Sequence, residues 1–117
     1  EMAAKRSPIT THVLDTSIGR PAANVKATLE IHDGGFKEIG SGVTDADGRI
    51  GTLLSTDHVL APGIYRITFQ TGAYCQAKGT ACFYPEVPIV FEVKATDEHY
   101  HVPLLLNPFG YSTYRGS

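Results

Sequence analysis

No apolar stretch of this 117-residue chain approaches the roughly 18 to 20 residues that a membrane-spanning helix requires. The opening Glu-Met-Ala-Ala-Lys-Arg lacks the apolar segment of a secretory signal, so neither membrane insertion nor export is expected. An excess of basic charge is missing too. A net charge of -2 gives no reason to expect nucleic acid or an anionic membrane surface as partner. Cysteine is scarce, with Cys75 and Cys82 alone, and no CxxC or HxxxH partner accompanies either thiol, which excludes a zinc motif built on them. Two small buried thiols in a reducing compartment are expected rather than a disulfide. There is no Gly-rich phosphate loop, no GxSxG elbow, no internal repeat and no low-complexity segment.

What the chain does have is period-two alternation. Residues 1–8 carry almost nothing apolar and read as a flexible leader, leaving 9–117 as a single domain. Ile9 to Asp15 sets Ile9, Thr11 and Val13 on one face and Thr10, His12 and Leu14 on the other. Gly19, Arg20 and Pro21 break that strand. Val25 to His32 alternates again, Gly34-Gly35 turns, and Phe36 to Thr44 returns. A short strand is expected over Ile50 to Leu54, followed by strands over Ile64 to Gln70, Ile89 to Val93 and Tyr100 to Leu106. Thr71 to Lys78 lacks the period of two and is the one plausible helix, ending near Gly79. With a last strand in the tail this makes about eight strands at short spacing, an all-β chain, and an antiparallel β-sandwich is expected ahead of a barrel.

The tail from His101 to Ser117, HVPLLLNPFGYSTYRGS, is unlike a fraying terminus. An apolar run, a Pro-Phe-Gly break and a second strand-forming run hold Arg115, Gly116 and Ser117 in place as a donor fork, a backbone without a side chain and an anion. Other candidates are few. His32 falls on a polar face and His58 in a loop, where solvated side chains are expected. His99 and His101 share a face, but a metal there needs a third ligand, for which His12 is the candidate, and two-apart strand histidines are common without metal. The site is therefore read as metal-free, with no cofactor. By spacing alone His12 reads as a half-buried structural histidine and Arg49 as solvated. Asp45-Ala46-Asp47-Gly48 begins like a calcium loop, yet no acidic residue completes it, so it reads as a turn that presents Arg49.

Three segments carry a resemblance. ITTHVLDTSIGRPAANV near the start, TDADGR in the middle and HYHVPLLLNPFGYSTYRGS at the end resemble the 5-hydroxyisourate hydrolases, the transthyretin-related enzymes of urate breakdown, and the likeness runs from Ile9 onward. The resemblance implies a transthyretin-like (prealbumin-like) sandwich of two four-stranded sheets with one short helix. It implies a homotetramer, a dimer of dimers, that turns the small molecule 5-hydroxyisourate into 2-oxo-4-hydroxy-4-carboxy-5-ureidoimidazoline. By the same resemblance the site residues are His12, Arg49 and His101 as catalytic groups and Tyr114, Arg115, Gly116 and Ser117 as substrate-binding groups. A cytoplasmic or peroxisomal location is expected. The competing expectation is a transthyretin-type carrier of small aromatic ligands, which resembles the family in fold but lacks the YRGS tail and the site histidines.

Overall fold

Wherever polar and apolar residues alternate regularly, the chain forms strands. A computed structural model describes residues 7–117, in the order β1 (Ile9–Asp15), β2 (Arg20–Pro21), β3 (Lys26–His32), β4 (Phe36–Val43), β5 (Arg49–Ile50), β6 (Gly63–Phe69), α1 (Thr71–Lys78), β7 (Val87–Val93), β8 (Tyr100–Asn107) and β9 (Gly110–Thr113). One sheet runs β2-β1-β8-β9, with β5 also paired to β1, and the other runs β4-β3-β6-β7. Ile9, Val13 and Leu104 from the first sheet and Leu29, Tyr65, Ile67 and Phe69 from the second are fully buried. Each such side chain contributes about 1.5–3 kcal/mol of burial free energy. The two sheets stay open at their edges, so the sandwich holds and the barrel does not.

One pairing departs from the antiparallel expectation. β1 and β8 run parallel, in register from Ile9 opposite Tyr100 to Asp15 opposite Leu106. Parallel neighbours need a long connection, which the residues between them supply. Both strands sit inside their sheet, and β1 is accordingly buried at five of its seven positions.

Three local expectations are corrected. The strand expected over Ile50 to Leu54 stops at Ile50, because Leu53 and Leu54 are both buried in succession, which a pleated strand with alternating faces cannot do. The Leu54 N–H is satisfied instead by Ser7 Oγ at 3.1 Å. The leader expected over residues 1–8 falls largely outside the described residues, but Ser7 is fully buried and its hydroxyl donates to the Ile9 carbonyl at 2.6 Å. Arg20 and Pro21, read as a break, form the two-residue edge strand β2 against Leu14 and Asp15. A proline is tolerated there because an edge strand need not donate on both sides.

The cysteines supply the fourth correction: Cys75 and Cys82 form a disulfide rather than two free thiols. Helix α1 ends in a Schellman turn, with Gly79 left-handed at φ 71°, its N–H donating to Gln76 O, and the Thr80 N–H donating to Cys75 O. That turn sends the chain back past the helix and brings the two Cα atoms to 5.8 Å. Sequence spacing alone cannot show such a reversal. Helix and first sheet are joined by a buried hydrogen bond from the Tyr74 hydroxyl to Asp15 Oδ2 at 2.8 Å. Burial pushes the Tyr74 hydroxyl up, and accepting partner and charge of Asp15 push it further, to about 12. Burial alone would raise Asp15, but hydrogen bonds from Ser17 and Tyr74 and the charge of Lys78 outweigh it and hold the carboxyl below its usual value.

Candidate active site

Register, not sequence proximity, assembles the candidate site on the outer face of the first sheet. His12 stands opposite Arg49 across the β1–β5 pairing, and Thr10 stands beside His101 across the parallel β1–β8 pairing. Because alternate residues of a strand share a face, Thr10 and His12 point the same way, and the rings of His12 and His101 come to 6.5 Å between centroids.

Arg49 is held by the turn that precedes it. Asp45 Oδ1 accepts the backbone N–H of Asp47 at 2.9 Å and of Arg49 at 3.0 Å, and the Asp45 N–H donates to Arg49 O at 3.0 Å. Gly48 closes the turn at φ 76°, where a side chain would run into the Val13 carbonyl. The Asp-Ala-Asp-Gly segment is thus an Asx-type turn whose acidic side chain is spent on backbone donors.

The tail follows β9 and keeps its register on β8. Gly116 pairs with His101, its N–H donating to the His101 carbonyl at 2.8 Å. A Cβ at this position would lie 2.6 Å from His101 Cδ2, so only glycine lets the backbone cross the imidazole this closely. Ser117 then reaches a pocket of about 210 Å³ that Thr10, Arg49, Gly51 and His101 also line.

The other two tail candidates go elsewhere. Tyr114 and Arg115 line a separate cavity of about 300 Å³ between β7, β8 and the tail. The Arg115 guanidinium donates to Glu98 Oε1 at 2.9 Å and to the His99 carbonyl at 3.2 Å, and lies 4.3 Å over the Tyr100 ring. Within one chain, then, His12, Arg49, His101, Gly116 and Ser117 converge, whereas Tyr114 and Arg115 border His101 from the opposite side. Among the described residues no group of three or more His, Cys, Asp or Glu side chains is placed to hold a metal ion.

One residue, Thr10, gains importance from the fold. Thr10 Oγ1 lies 2.8 Å from His101 Nδ1 and 2.9 Å from His99 Nε2, so one hydroxyl bridges two imidazoles. The only hint in the sequence was that Thr10 shares the face of His12. What the arrangement offers chemically is two imidazoles able to move protons, a guanidinium able to bind an anionic or carbonyl oxygen, and no carboxylate side chain lining the pocket with them.

Comparison with known proteins places the chain in a family. The profile of the HIUase/Transthyretin family matches residues 9–116. The 5-hydroxyisourate hydrolase of Salmonella dublin is 46% identical over 117 residues, covering 99% of this chain and 85% of its own. The structure of Klebsiella pneumoniae 5-hydroxyisourate hydrolase superposes with a TM-score of 0.82 at 36% identity, covering 93% of this chain and 98% of that one. Sea bream transthyretin, solved in complex with thyroxine, superposes with a TM-score of 0.86 at 34% identity, covering 94% and 95% of the two chains. With the profile spanning nearly every described residue and a relative 46% identical over 99% of the chain, the chain is a member of the HIUase/Transthyretin family.

Proposed function

We propose that this protein is an enzyme that hydrolyses 5-hydroxyisourate, opening its six-membered ring to 2-oxo-4-hydroxy-4-carboxy-5-ureidoimidazoline in urate degradation. The observation that carries the reading is the convergence of Arg49, His101 and Ser117 on one pocket, with the His12 ring 6.5 Å from that of His101. Hydrolysis of an amide-like bond needs water to lose a proton as it attacks, and the carbonyl oxygen becomes an anion as it does so. The two imidazoles, 6.5 Å apart between ring centroids, are the groups that take that proton. His12 and His101 position and deprotonate this water, and Arg49 binds the polar ring and stabilises the developing charge. Gly116 brings tail backbone against His101, and Ser117 completes the pocket wall.

Assembly belongs to the same proposal. The chain works as a homotetramer, a dimer of dimers, in which Tyr114 and Arg115 face substrate across a subunit boundary. In support, Val90 on the edge strand β7 and Tyr114 in the tail are large apolar groups left 57% and 56% exposed beside the 300 Å³ cavity. A carrier of the transthyretin type is the second reading, favoured by the likeness to the sea bream protein. Two imidazoles facing a guanidinium argue against it, since holding an apolar aromatic ligand requires neither.

The deciding experiment follows the absorbance of freshly generated 5-hydroxyisourate with and without protein. Decay faster than the spontaneous rate is expected. Arg49→Ala and His101→Asn each lower kcat/KM by about 100-fold or more while the oligomer persists. Spontaneous decay unchanged by the protein would leave the carrier.

A further inference from the structure

We propose that Thr10 is a positioning residue: its hydroxyl joins His101 to His99 in a three-member proton relay and thereby sets which nitrogen of His101 acts as base. The inference rests on the hydrolase reading above and names a further part of its machinery, running from Thr10 in the pocket wall to His99.

The geometry begins with the strands. Thr10 is the parallel-pair neighbour of His101, and the residue is only 7% exposed. A β-branched residue in a strand has little χ1 freedom, so its hydroxyl stays where the backbone puts it. That position is 2.8 Å from His101 Nδ1 and 2.9 Å from His99 Nε2. Both are full-strength hydrogen-bond distances. His99 is held in turn by its carbonyl, which accepts from the Arg115 guanidinium at 3.2 Å.

Proton counting then restricts the states. A threonine hydroxyl has one hydrogen, so it can donate to one imidazole nitrogen at most. At least one of the two nitrogens that face it therefore carries its own proton. With the hydroxyl hydrogen held between the two rings, two arrangements remain; in one arrangement His99 Nε2–H donates to Thr10 and Thr10 donates to His101 Nδ1. His101 then carries its proton on Nε2 and has no lone pair to offer water. In the other, His101 Nδ1–H donates to Thr10 and Thr10 donates to His99 Nε2. His101 Nε2 is then the base. The second arrangement is the resting state of the proposed enzyme.

The relay also explains where the proton goes. As His101 Nε2 takes a proton from the attacking water, Nδ1 passes its proton to Thr10 Oγ1, and Thr10 passes its own to His99 Nε2. His101 and Thr10 each gain one proton and lose one, His101 on different nitrogens, so the net change lies at the two ends: water has lost a proton and His99 has gained it. His101 is left neutral beside the Arg49 guanidinium rather than as a second cation in the same pocket. Running the steps backward returns the proton through His101 Nε2 to the leaving nitrogen, as a base that must next serve as acid requires.

The test pairs spectroscopy with kinetics. Two-bond ¹⁵N–¹H correlation of the histidine rings in the unmodified protein near neutral pH should show His101 protonated on Nδ1 and His99 with an unprotonated Nε2. Thr10→Val keeps the shape and removes the hydroxyl; it should lose that tautomer preference and lower kcat by about 10–100-fold with KM within about twofold. Thr10→Ser keeps the hydroxyl and should restore both. His101 protonated on Nε2 at rest, or Thr10→Val with unchanged kcat, would overturn the relay. The tautomer measurement needs no substrate and no variant. It judges the relay even if Thr10→Val does not fold, and even if the unmodified protein leaves 5-hydroxyisourate untouched, which would count against the hydrolase reading alone.

Discussion

Gly116 shows how narrowly a single position is set in this protein. Its amide anchors the tail to the His101 carbonyl, and the space where a side chain would begin is taken by the His101 ring and by Pro103 Cγ, 3.2 Å away. Gly116→Ala must therefore shift either the ring or the tail by several tenths of an ångström. The expected outcome is a fall in kcat of about 10–100-fold, the penalty for a misplaced reacting group, with a melting temperature that changes little because the site is at the surface. Steady-state kinetics and a thermal melt of the same sample check both halves. None of these site residues stands out by composition. His12 looks like an ordinary strand histidine and Arg49 like a solvated turn residue until the register puts them opposite one another. Thr10 and His101 lie 91 residues apart, a distance over which strand alternation carries no information about pairing. Resemblance to a family supplied His12, Arg49 and His101; it did not supply Thr10, because a hydroxyl that acts through another residue leaves no mark of its own.

At the scale of elements, helix α1 is tied down at two points, to the loop that follows it and to the first sheet, and each tie has a measurable consequence. The disulfide to Cys82 closes a short loop, and loop-entropy arguments assign it about 2.5 kcal/mol. Cys82→Ser should lower stability in denaturant titration by roughly that amount, and a thiol reductant should bring the unmodified protein to the same value. The second tie is Tyr74 to Asp15. The Tyr74 hydroxyl is raised from 10.0 to about 12, so unfolded chains lose this proton before folded ones do. Its contribution is complete below about pH 10 and disappears as pH rises toward 12. Asp15, held low, works in the opposite sense: its contribution is present above the ordinary carboxylate pKa and is lost as pH falls through the lowered one. Tyr74→Phe should cost about 1–1.5 kcal/mol at neutral pH and lose less stability than the parent between pH 10 and pH 12, as urea titrations at pH 9 and pH 11.5 would show. The helix itself was legible, since Gly79 marks its end and the period of two fails over Thr71–Lys78. The strand at β5 was overextended because Leu53 and Leu54 are apolar for the sake of the core, and an apolar pair reads the same whether it lies in a strand or plugs a loop.

For the whole molecule, the sandwich leaves its apolar exposure unevenly spread. Val90, Tyr111 and Tyr114 sit near edges that a second copy can cover, and the proposed tetramer removes them from water. Light scattering should give a mass four times that of the chain, and kcat measured on serial dilution should fall once the oligomer dissociates, since Tyr114 and Arg115 do not reach the Arg49 pocket of their own chain. A full-strength monomer would show that one subunit contains a complete site. The layering into two sheets could be read from strand count and spacing. The parallel placement of β1 against β8 could not, because alternation fixes which face a residue takes and leaves open which strand lies next to it.

That parallel pairing bears on how the protein is made. During synthesis β1 leaves the ribosome long before its central neighbour, and for most of translation its hydrogen-bonding groups have only the short strands β2 and β5 to pair with. Nascent chains that stall before Tyr100 therefore carry an exposed β1 edge, open to pairing with other chains and in need of a chaperone. His101 therefore reaches the candidate site late, when β8 slots in beside β1 and brings it to Thr10.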